Sequence, residues 1–321
     1  MKKRVMHKIS AIFGASLFFF LYILPHLSYA QQITLMSYNC ENAFDTIHDV
    51  GKNDFEYLPD GNRHWSRGKL FYKLNGIGKT IMAVEESRPV DIVCLNEVEN
   101  DSVLTWLTCK TPLAAVGYKY VMTNSADVRG VDVALLYSPF TFHVINHYSI
   151  RAKTTTPTRD VLYVSGVTLS HDTLDIFAVH MPSKLNGLIG EENRCVVART
   201  ICSSIDSIYN IRKNANIVVM GDFNDGPKSK VIKNEFSHLT DLMAHEKQGS
   251  YKYKGVWQCI DHILVNEKLL PRVSSSGVMA NPMLLEEDTK YGGVKPYRTY
   301  VGFKYNGGYS DHLPVFARFT F

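Results

Sequence analysis

Polar side chains follow five apolar, strand-like runs in this chain, each at the point where the run ends. They are carboxylates, amides and imidazoles, which together can bind a divalent metal and assist the attack of water on phosphorus. Because a sheet brings the ends of several strands to one place, residues far apart in sequence can form one site. The five clusters are Asn39, Glu97, His180, Asp222 with Asn224, and Asp311 with His312.

Glu97 ends the apolar run 91–97. A carboxylate in this position can hold Mg²⁺ or Mn²⁺, hard cations that take oxygen ligands and keep several waters. The alternative is an ordinary solvated strand end. The metal interpretation of this glutamate therefore depends on the other clusters.

Asp222 and Asn224 follow the buried run 217–221. Two residues apart on extended chain, they share one face. Asp222 could take a proton from an attacking water, and Asn224 could donate a hydrogen bond to phosphate. The alternative is an Asx turn that ends the strand before Gly226 and Pro227. That alternative does not explain the carboxylate at Asp222 and the amide at Asn224.

Two acid–imidazole pairs, Asp261-His262 and Asp311-His312, lie beside late strands. Neighbours on a strand face opposite ways, so Asp311 and His312 should not contact each other. We expect Asp261 to orient His312, which then stabilises negative charge or relays a proton. His180 is a second candidate imidazole, and its alternative role is that of a satisfied histidine at a strand end.

Four cationic residues are candidates for contacting the substrate. Arg63 and Arg67 lie in the polar segment 46–73, whose basic, aromatic-bearing end could grip a phosphate backbone. The alternative is a surface loop followed by a solvated helix face. Arg129 precedes a predicted strand and could contact phosphate, and Lys184 follows the strand that ends at His180, near the same rim.

The pattern of apolar residues predicts more strands than helices. Alternation predicts strands at 33–39, 91–97, 131–137, 142–148, 161–169, 174–180, 217–221, 260–265 and 313–321. Helical spacing predicts helices over 70–84 and 191–208, and a hairpin is expected at 170–172. The sequence therefore predicts an α+β fold in which two mainly antiparallel β-sheets pack as a sandwich flanked by helices.

The first 30 residues are predicted to be a secretory signal peptide. Basic residues precede an apolar run over 9–24, and Ser28 and Ala30 fit cleavage after Ala30. The alternative, an uncleaved membrane anchor, needs about 20 apolar residues. We expect an exported protein, periplasmic or extracellular, with one domain spanning 31–321.

The basic net charge belongs to this predicted leader. It holds 4 of the 35 Lys and Arg residues and none of the 31 Asp and Glu residues, so the mature chain is neutral. Composition therefore does not indicate a polyanionic partner. Six cysteines in an exported chain permit disulfides, although Cys40, Cys94 and Cys259 lie in or beside apolar runs that suit buried thiols.

Taken together, the ordered clusters resemble the endonuclease/exonuclease/phosphatase superfamily, the DNase I-like fold. The resemblance spans the mature chain from Ser37-Tyr38-Asn39 to Ser310-Asp311-His312. It implies a divalent metal, Mg²⁺ or Mn²⁺, near Asn39, Glu97 and Asp311. It also implies catalytic roles for five residues: His180, Asp222, Asn224, Asp261 and His312.

The expected activity is metal-dependent hydrolysis of phosphoesters, with nucleic acid as the first candidate substrate. A phosphatase or phospholipase C-like enzyme acting on sugar or lipid phosphates is the alternative. A non-catalytic binding protein on the same fold is a third hypothesis, and no stable protein partner is predicted. Gly-x-Ser-x-Gly, a glycine-rich phosphate loop and His-Glu-x-x-His are absent from the sequence, which disfavours serine hydrolases, nucleotide triphosphatases and zinc proteases.

Overall fold

Two six-stranded β-sheets lie at the centre of this computed structural model, which describes residues 31–85 and 87–321. The predicted signal peptide, residues 1–30, lies outside the described residues. The strands, in chain order, are β1 (Gln32–Ala43), β2 (Ile92–Val98), β3 (Lys119–Met122), β4 (Asp132–Tyr137), β5 (Phe142–Ile150), β6 (Val161–Thr168), β7 (Thr173–His180), β8 (Asn216–Asp222), β9 (Thr240–Asp241), β10 (Tyr251–Tyr253), β11 (Val256–Gln258), β12 (Asp261–Val265), β13 (Val273–Val278), β14 (Leu285–Glu287), β15 (Val294–Pro296), β16 (Tyr300–Val301), β17 (Lys304–Tyr305) and β18 (Val315–Thr320).

The two sheets share one pattern of strand directions. The first has the order β13-β18-β1-β2-β4-β3, and the second has the order β5-β6-β7-β8-β12-β9. Each contains one parallel pair, β1 with β2 and β7 with β8, and its other pairs are antiparallel. Three hairpins, β10–β11, β14–β15 and β16–β17, form separate two-stranded sheets. The predicted fold of two mainly antiparallel sheets is confirmed.

Within residues 31–85 and 87–321, three α-helices pack outside the sheets: α1 (Arg67–Met82), α2 (Asp101–Lys110) and α3 (Gly187–Ile211). Ser66 and Asn100 cap the first two, each accepting a hydrogen bond from a backbone N–H of the first turn. Among the described residues, no helix has the length and apolar character needed to cross a bilayer. The short helices are Phe55–Tyr57, Pro112–Ala115, Lys184–Asn186, Val231–Glu235, Leu270–Arg272 and Pro282–Leu284.

The core consists of three apolar layers, because most central strands are buried on both faces. Alternate residues of β1, such as Leu35, meet residues of the second sheet, such as Ile176. The intervening residues, such as Met36, pack against α1 and α2. The outer face of the second sheet packs against α3 through residues such as Phe177 and Ile201. This burial explains why these strands read as continuous apolar runs.

The predicted elements agree with the structure to within a few residues. All nine predicted strands and both helices are present, and the hairpin at 170–172 joins β6 to β7. The strand β1 continues four residues beyond the predicted end, through a break in its register with β2. All six cysteines lie in the described residues as free thiols, in agreement with the buried-thiol interpretation of Cys40 and Cys94.

Candidate active site

The predicted polar clusters meet at one end of the two sheets. Four strands end there or just beyond, and the antiparallel partners β12 and β18 begin there. A cavity of about 790 Å³ opens at this end. Its walls contain Asn39, Glu97, Arg129, His180, Lys184, Asp222, Asn224, Asp311 and His312.

Glu97 reaches the cavity through a break in the strand. Its φ of 61° lies in the left-handed region, and the register between β2 and β4 shifts at this residue. Such a backbone costs free energy in a residue with a side chain, and it is found most often at functional sites. Its Oε2 accepts a hydrogen bond from the backbone N–H of Asn42 at 2.9 Å. Its Oε1 faces Arg129 Nη2 at 3.3 Å and His180 Nε2 at 3.8 Å.

Asp222 is buried at the junction of the two sheets. Its Oδ2 accepts a hydrogen bond from Asn39 Nδ2 at 3.0 Å, and its Oδ1 accepts one from the backbone N–H of Asn224 at 2.7 Å. Burial, together with the nearby Asp261 carboxylate, raises the pKa of Asp222 to about 7. A carboxylate with this pKa can take up a proton near neutral pH.

His312 and Asp261 form the contact expected from the sequence. His312 Nδ1 lies 2.7 Å from Asp261 Oδ2, and the Nε2 of the same ring faces Asp222 Oδ2 at 3.9 Å. Burial opposes charge on the ring, but the Asp261 carboxylate outweighs it and raises the pKa of His312 well above its ordinary value. Asp261 is absent from the cavity wall and lies behind His312, to which it is bonded.

His180 has the opposite electrostatic environment. Burial, with the positive charges of Arg159 and Arg129, holds the pKa of His180 well below its ordinary value. Its Nε2 faces the Asp222 and Glu97 carboxylates at 3.6 and 3.8 Å, whereas its buried Nδ1 has no partner. A neutral ring that carries its proton on Nε2 fits these surroundings, because it directs its donor toward acceptors.

Asn224 is held in a strained conformation by the loop that follows His180. Its φ is 51°, and its Nδ2 donates to the carbonyl oxygen of Met181 at 3.0 Å. The buried Arg159 donates to the same carbonyl at 2.7 Å. Gly221 makes this approach of β7 and β8 possible, since a Cβ there would lie 1.9 Å from the carbonyl oxygen of Val179.

The three side chains predicted to bind the metal all line the cavity and offer oxygen ligands. Glu97 and Asp311 supply carboxylates and Asn39 supplies an amide oxygen, and Mg²⁺ needs only one or two carboxylates because it keeps several waters. Asp222, Asp261 and His312 also offer ligand atoms within 4.8 Å of one another. In that second group the His312 Nδ1 is already bonded to Asp261, so we interpret it as a proton-handling group.

Asp311 is paired with a residue that the sequence did not indicate. Arg298 Nη2 donates to Asp311 Oδ2 at 2.8 Å, and Arg298 Nε lies 3.5 Å from Glu41 Oε1. Asn96 was also missed. Its amide joins the sheets beneath the site by donating to Val179 and accepting from the backbone N–H of Asp222. The signal for Asn96 was a lone amide directly after the apolar run 92–95.

Two of the four predicted substrate-binding cations lie in the cavity wall, and two do not. Arg129 and Lys184 line the cavity, whereas Arg63 and Arg67 are absent from the described residues that form its walls. Arg63 lies among the rings of Tyr57, Tyr300 and Phe303, at 5.0 to 5.4 Å from their centroids. Arg67 is exposed at the first position of α1.

Replacement of Arg63 by alanine is expected to affect stability and not turnover. The loss of its ring contacts and of its hydrogen bond to the carbonyl oxygen of Gly302 should lower the free energy of unfolding by about 1–2 kcal/mol. Urea unfolding, with turnover of bis(p-nitrophenyl) phosphate, measures both effects. Arg67→Ala is the matched control and should change neither. Lost turnover at full stability would make Arg63 a substrate contact.

The chain is similar to a known protein family and to several solved structures. The chain matches the model of the Endonuclease/Exonuclease/phosphatase family over residues 34–320. The search of curated proteins found no match.

Several solved structures share the fold. A family member from Bacteroides thetaiotaomicron has a TM-score of 0.61 and 16% identity, covering 91% of this chain and 95% of that one. Truncated TDP2 from Caenorhabditis elegans has a TM-score of 0.59 and 16% identity, covering 90% and 98%. A mannosyl-6-phosphatase from Bacteroides thetaiotaomicron has a TM-score of 0.59 and 15% identity, covering 89% and 98%. At these identities the likeness extends to the fold and no further.

Proposed function

Because the chain belongs to the endonuclease/exonuclease/phosphatase family, we propose that it is a divalent-metal-dependent phosphoester hydrolase in which water attacks phosphorus. The convergence of His180, Asp222 and His312 in one cavity carries this proposal. The Nε2 atoms of His180 and His312 lie 3.6 and 3.9 Å from Asp222 Oδ2. No protein nucleophile is required, because a carboxylate next to two imidazoles can activate water.

The proposed reaction assigns a proton or a charge to each residue. Asp222 accepts the proton of the attacking water as its oxygen bonds to phosphorus and the ester P–O bond breaks. Asn39 orients the Asp222 carboxylate by donating to Oδ2. His180 Nε2 and the Asn224 amide can donate to the phosphoryl oxygens, where negative charge increases. The charged His312, held by Asp261, donates its Nε2 proton to the leaving oxygen, and the proton that Asp222 accepted from water restores the charged ring.

Glu97 and Asp311, with Asn39, are the proposed metal ligands. A bound Mg²⁺ or Mn²⁺ would supply positive charge to the phosphoryl oxygens. The hydrogen bond from Asn42 to Glu97 and that from Arg298 to Asp311 hold these carboxylates at the cavity wall. Such outer contacts commonly tune metal affinity.

Addition of Mg²⁺ or Mn²⁺ is expected to raise the melting temperature. An ion that binds only the folded state stabilises it by about 2.7 kcal/mol at a hundred times its dissociation constant. Glu97→Gln should remove most of this shift, since it replaces a charged ligand by a neutral amide. The exposed Glu267→Gln is the matched control and should respond like the wild type. An equal shift in both variants would place the ion elsewhere.

The charges of the cavity favour a compact substrate over a long nucleic acid. Of the described residues lining it, the Lys and Arg side chains are Arg129, Arg159 and Lys184. Each lies close to a carboxylate: Glu97, Asp127 and Asp225 respectively, at 3.1 to 3.3 Å. Binding to successive phosphates of a polynucleotide depends on cations that replace counterions. A single phosphoester, of a sugar or lipid, needs fewer cations for its binding.

A substrate panel tests both levels of the proposal. Supercoiled plasmid, sugar phosphates, phospholipid and bis(p-nitrophenyl) phosphate would be incubated with Mg²⁺, with Mn²⁺ and with chelator. We expect metal-dependent turnover of the small or lipid esters, lost in His312→Ala, with the plasmid intact. Metal-dependent nicking lost in the same variant would instead support the nuclease expected from the sequence. Inactivity on every substrate would favour the binding-protein hypothesis.

A further inference from the structure

The mouth of the cavity has an apolar rim on the side of α3. Leu185 belongs to the cavity wall, yet it is 93% exposed. Leu188 and Ile189, which begin α3 a few residues later, are 84% and 57% exposed. Three large aliphatic side chains within five residues therefore project into solvent beside the cavity. Scattered exposed residues are ordinary, but apolar clusters at a binding site usually contact something.

A second segment with exposed apolar side chains also borders the cavity. The hairpin β10–β11 begins at Tyr251, whose ring centroid lies 4.9 Å from that of His312. Tyr253 also belongs to the cavity wall, and both Tyr253 and Val256 are more than half exposed. The hairpin thus runs from His312 to a turn that the exposed side chains of Tyr253 and Val256 flank.

Two lysines lie within this rim. Lys184 precedes Leu185, and its side chain is half exposed while its Nζ lies 3.3 Å from Asp225 Oδ1. Lys254 follows Tyr253 and places its Nζ 5.3 Å from the centre of that ring. Aliphatic groups with tyrosine and lysine among them match the layering of a bilayer surface, where acyl chains lie below anionic phosphates.

We propose that the cavity mouth docks on a phospholipid surface and that the hydrolysed phosphoester belongs to a lipid of that surface. This inference rests on the proposed phosphoester hydrolysis and names its substrate class. Water supplies a hydroxyl group to phosphorus and a proton to the leaving oxygen. One ester P–O bond breaks, and the products are an alcohol and a phosphate ester. The apolar rim holds the lipid chains, while the phosphate enters the cavity.

The test compares one substrate in a bilayer with one in solution. Vesicles of phosphatidylcholine, phosphatidylethanolamine and phosphatidylglycerol are the first probe. The measured products are the alcohol and the phosphate ester that hydrolysis of the lipid releases. Bis(p-nitrophenyl) phosphate is the soluble probe. The rim variant Leu188→Ser/Ile189→Ser/Val256→Ser changes three exposed residues that lie outside the cavity wall. It should lower the vesicle rate by at least about tenfold and leave the soluble rate unchanged.

A control variant with the same number of exposed apolar residues lies at the other end of the sheets. Phe140→Ser/Leu169→Ser/Ile211→Ser changes one residue just after β4, one just after β6 and the last residue of α3. It should leave both rates unchanged. Equal vesicle rates in the rim variant and the wild type would overturn the docking surface. Turnover of soluble esters with intact vesicles would overturn the lipid substrate alone, and no turnover of either probe would overturn the proposed function as well.

Discussion

Asp222→Asn is expected to lower kcat by about a thousandfold while leaving the fold intact. The amide keeps the size of the side chain and can still accept the hydrogen bond from the backbone of Asn224, although its NH₂ group cannot accept the one from Asn39 Nδ2. It cannot accept a proton from water. The loss should therefore appear in kcat and persist at saturating substrate, because the proposed role of Asp222 belongs to the transition state.

The same variant should be at least as stable as the wild type in the absence of metal. Burial is the main cause of the raised pKa of Asp222, so the ionised carboxylate disfavours the folded state. The folded pKa of about 7 exceeds that of the unfolded chain, so the wild type loses stability as the pH rises between the two values. A neutral amide does not titrate. Above the folded pKa, Asp222→Asn should melt no lower than the wild type.

Thermal melting with chelator and steady-state kinetics with Mg²⁺ measure these two effects. Asp206→Asn on α3 is the matched control, because it removes the charge of an exposed aspartate. It should change neither quantity. Wild-type kcat in Asp222→Asn would reject Asp222 as the proton acceptor, and a large fall in melting temperature would show that its role is structural.

The sequence predicts most of the sheets because their strands are buried and apolar. It does not predict β13, whose serine-rich sequence at 273–278 has no apolar alternation. That strand forms because β18 offers it an edge to pair with. Helix α2 was missed for a different reason. It is ten residues long, and its buried residues Val103, Leu104 and Leu107 cover too few turns for a clear period.

The site was predictable where a residue lies at the end of its own strand. The position of Asp222 follows from the run before it, and its geometry is then fixed by the sheet. The contact between Asp261 and His312 was also predicted, but other contacts between distant segments were not. Arg298 reaches Asp311 from a loop, and Arg63 lies against Tyr300 and Phe303, more than 230 residues away. Local charge indicated a substrate contact for Arg63, whereas the aromatic rings that surround it come from another part of the chain.

His312→Ala is expected to lower kcat by about a hundredfold to ten-thousandfold, the range for a positioned catalytic imidazole. Asp261→Ala should cause a smaller loss, because Asp261 touches the reacting atoms only through the ring of His312. When His312 is already absent, the removal of Asp261 should have little further effect on kcat. Two residues that act as a unit give this non-additive result in a double-mutant cycle.

The cycle separates catalysis by the pair from a structural contribution. Both side chains are buried and their bond of 2.7 Å is lost in either variant, so melting temperatures must accompany each kcat. His147→Ala, on the exposed edge strand β5, is the matched control for loss of an imidazole and should be neutral. Additive losses in kcat would mean that Asp261 acts independently, for example through the Asp222 carboxylate, whose pKa it raises. A non-additive loss with each fold intact would instead identify the His312–Asp261 pair as the unit on which turnover depends.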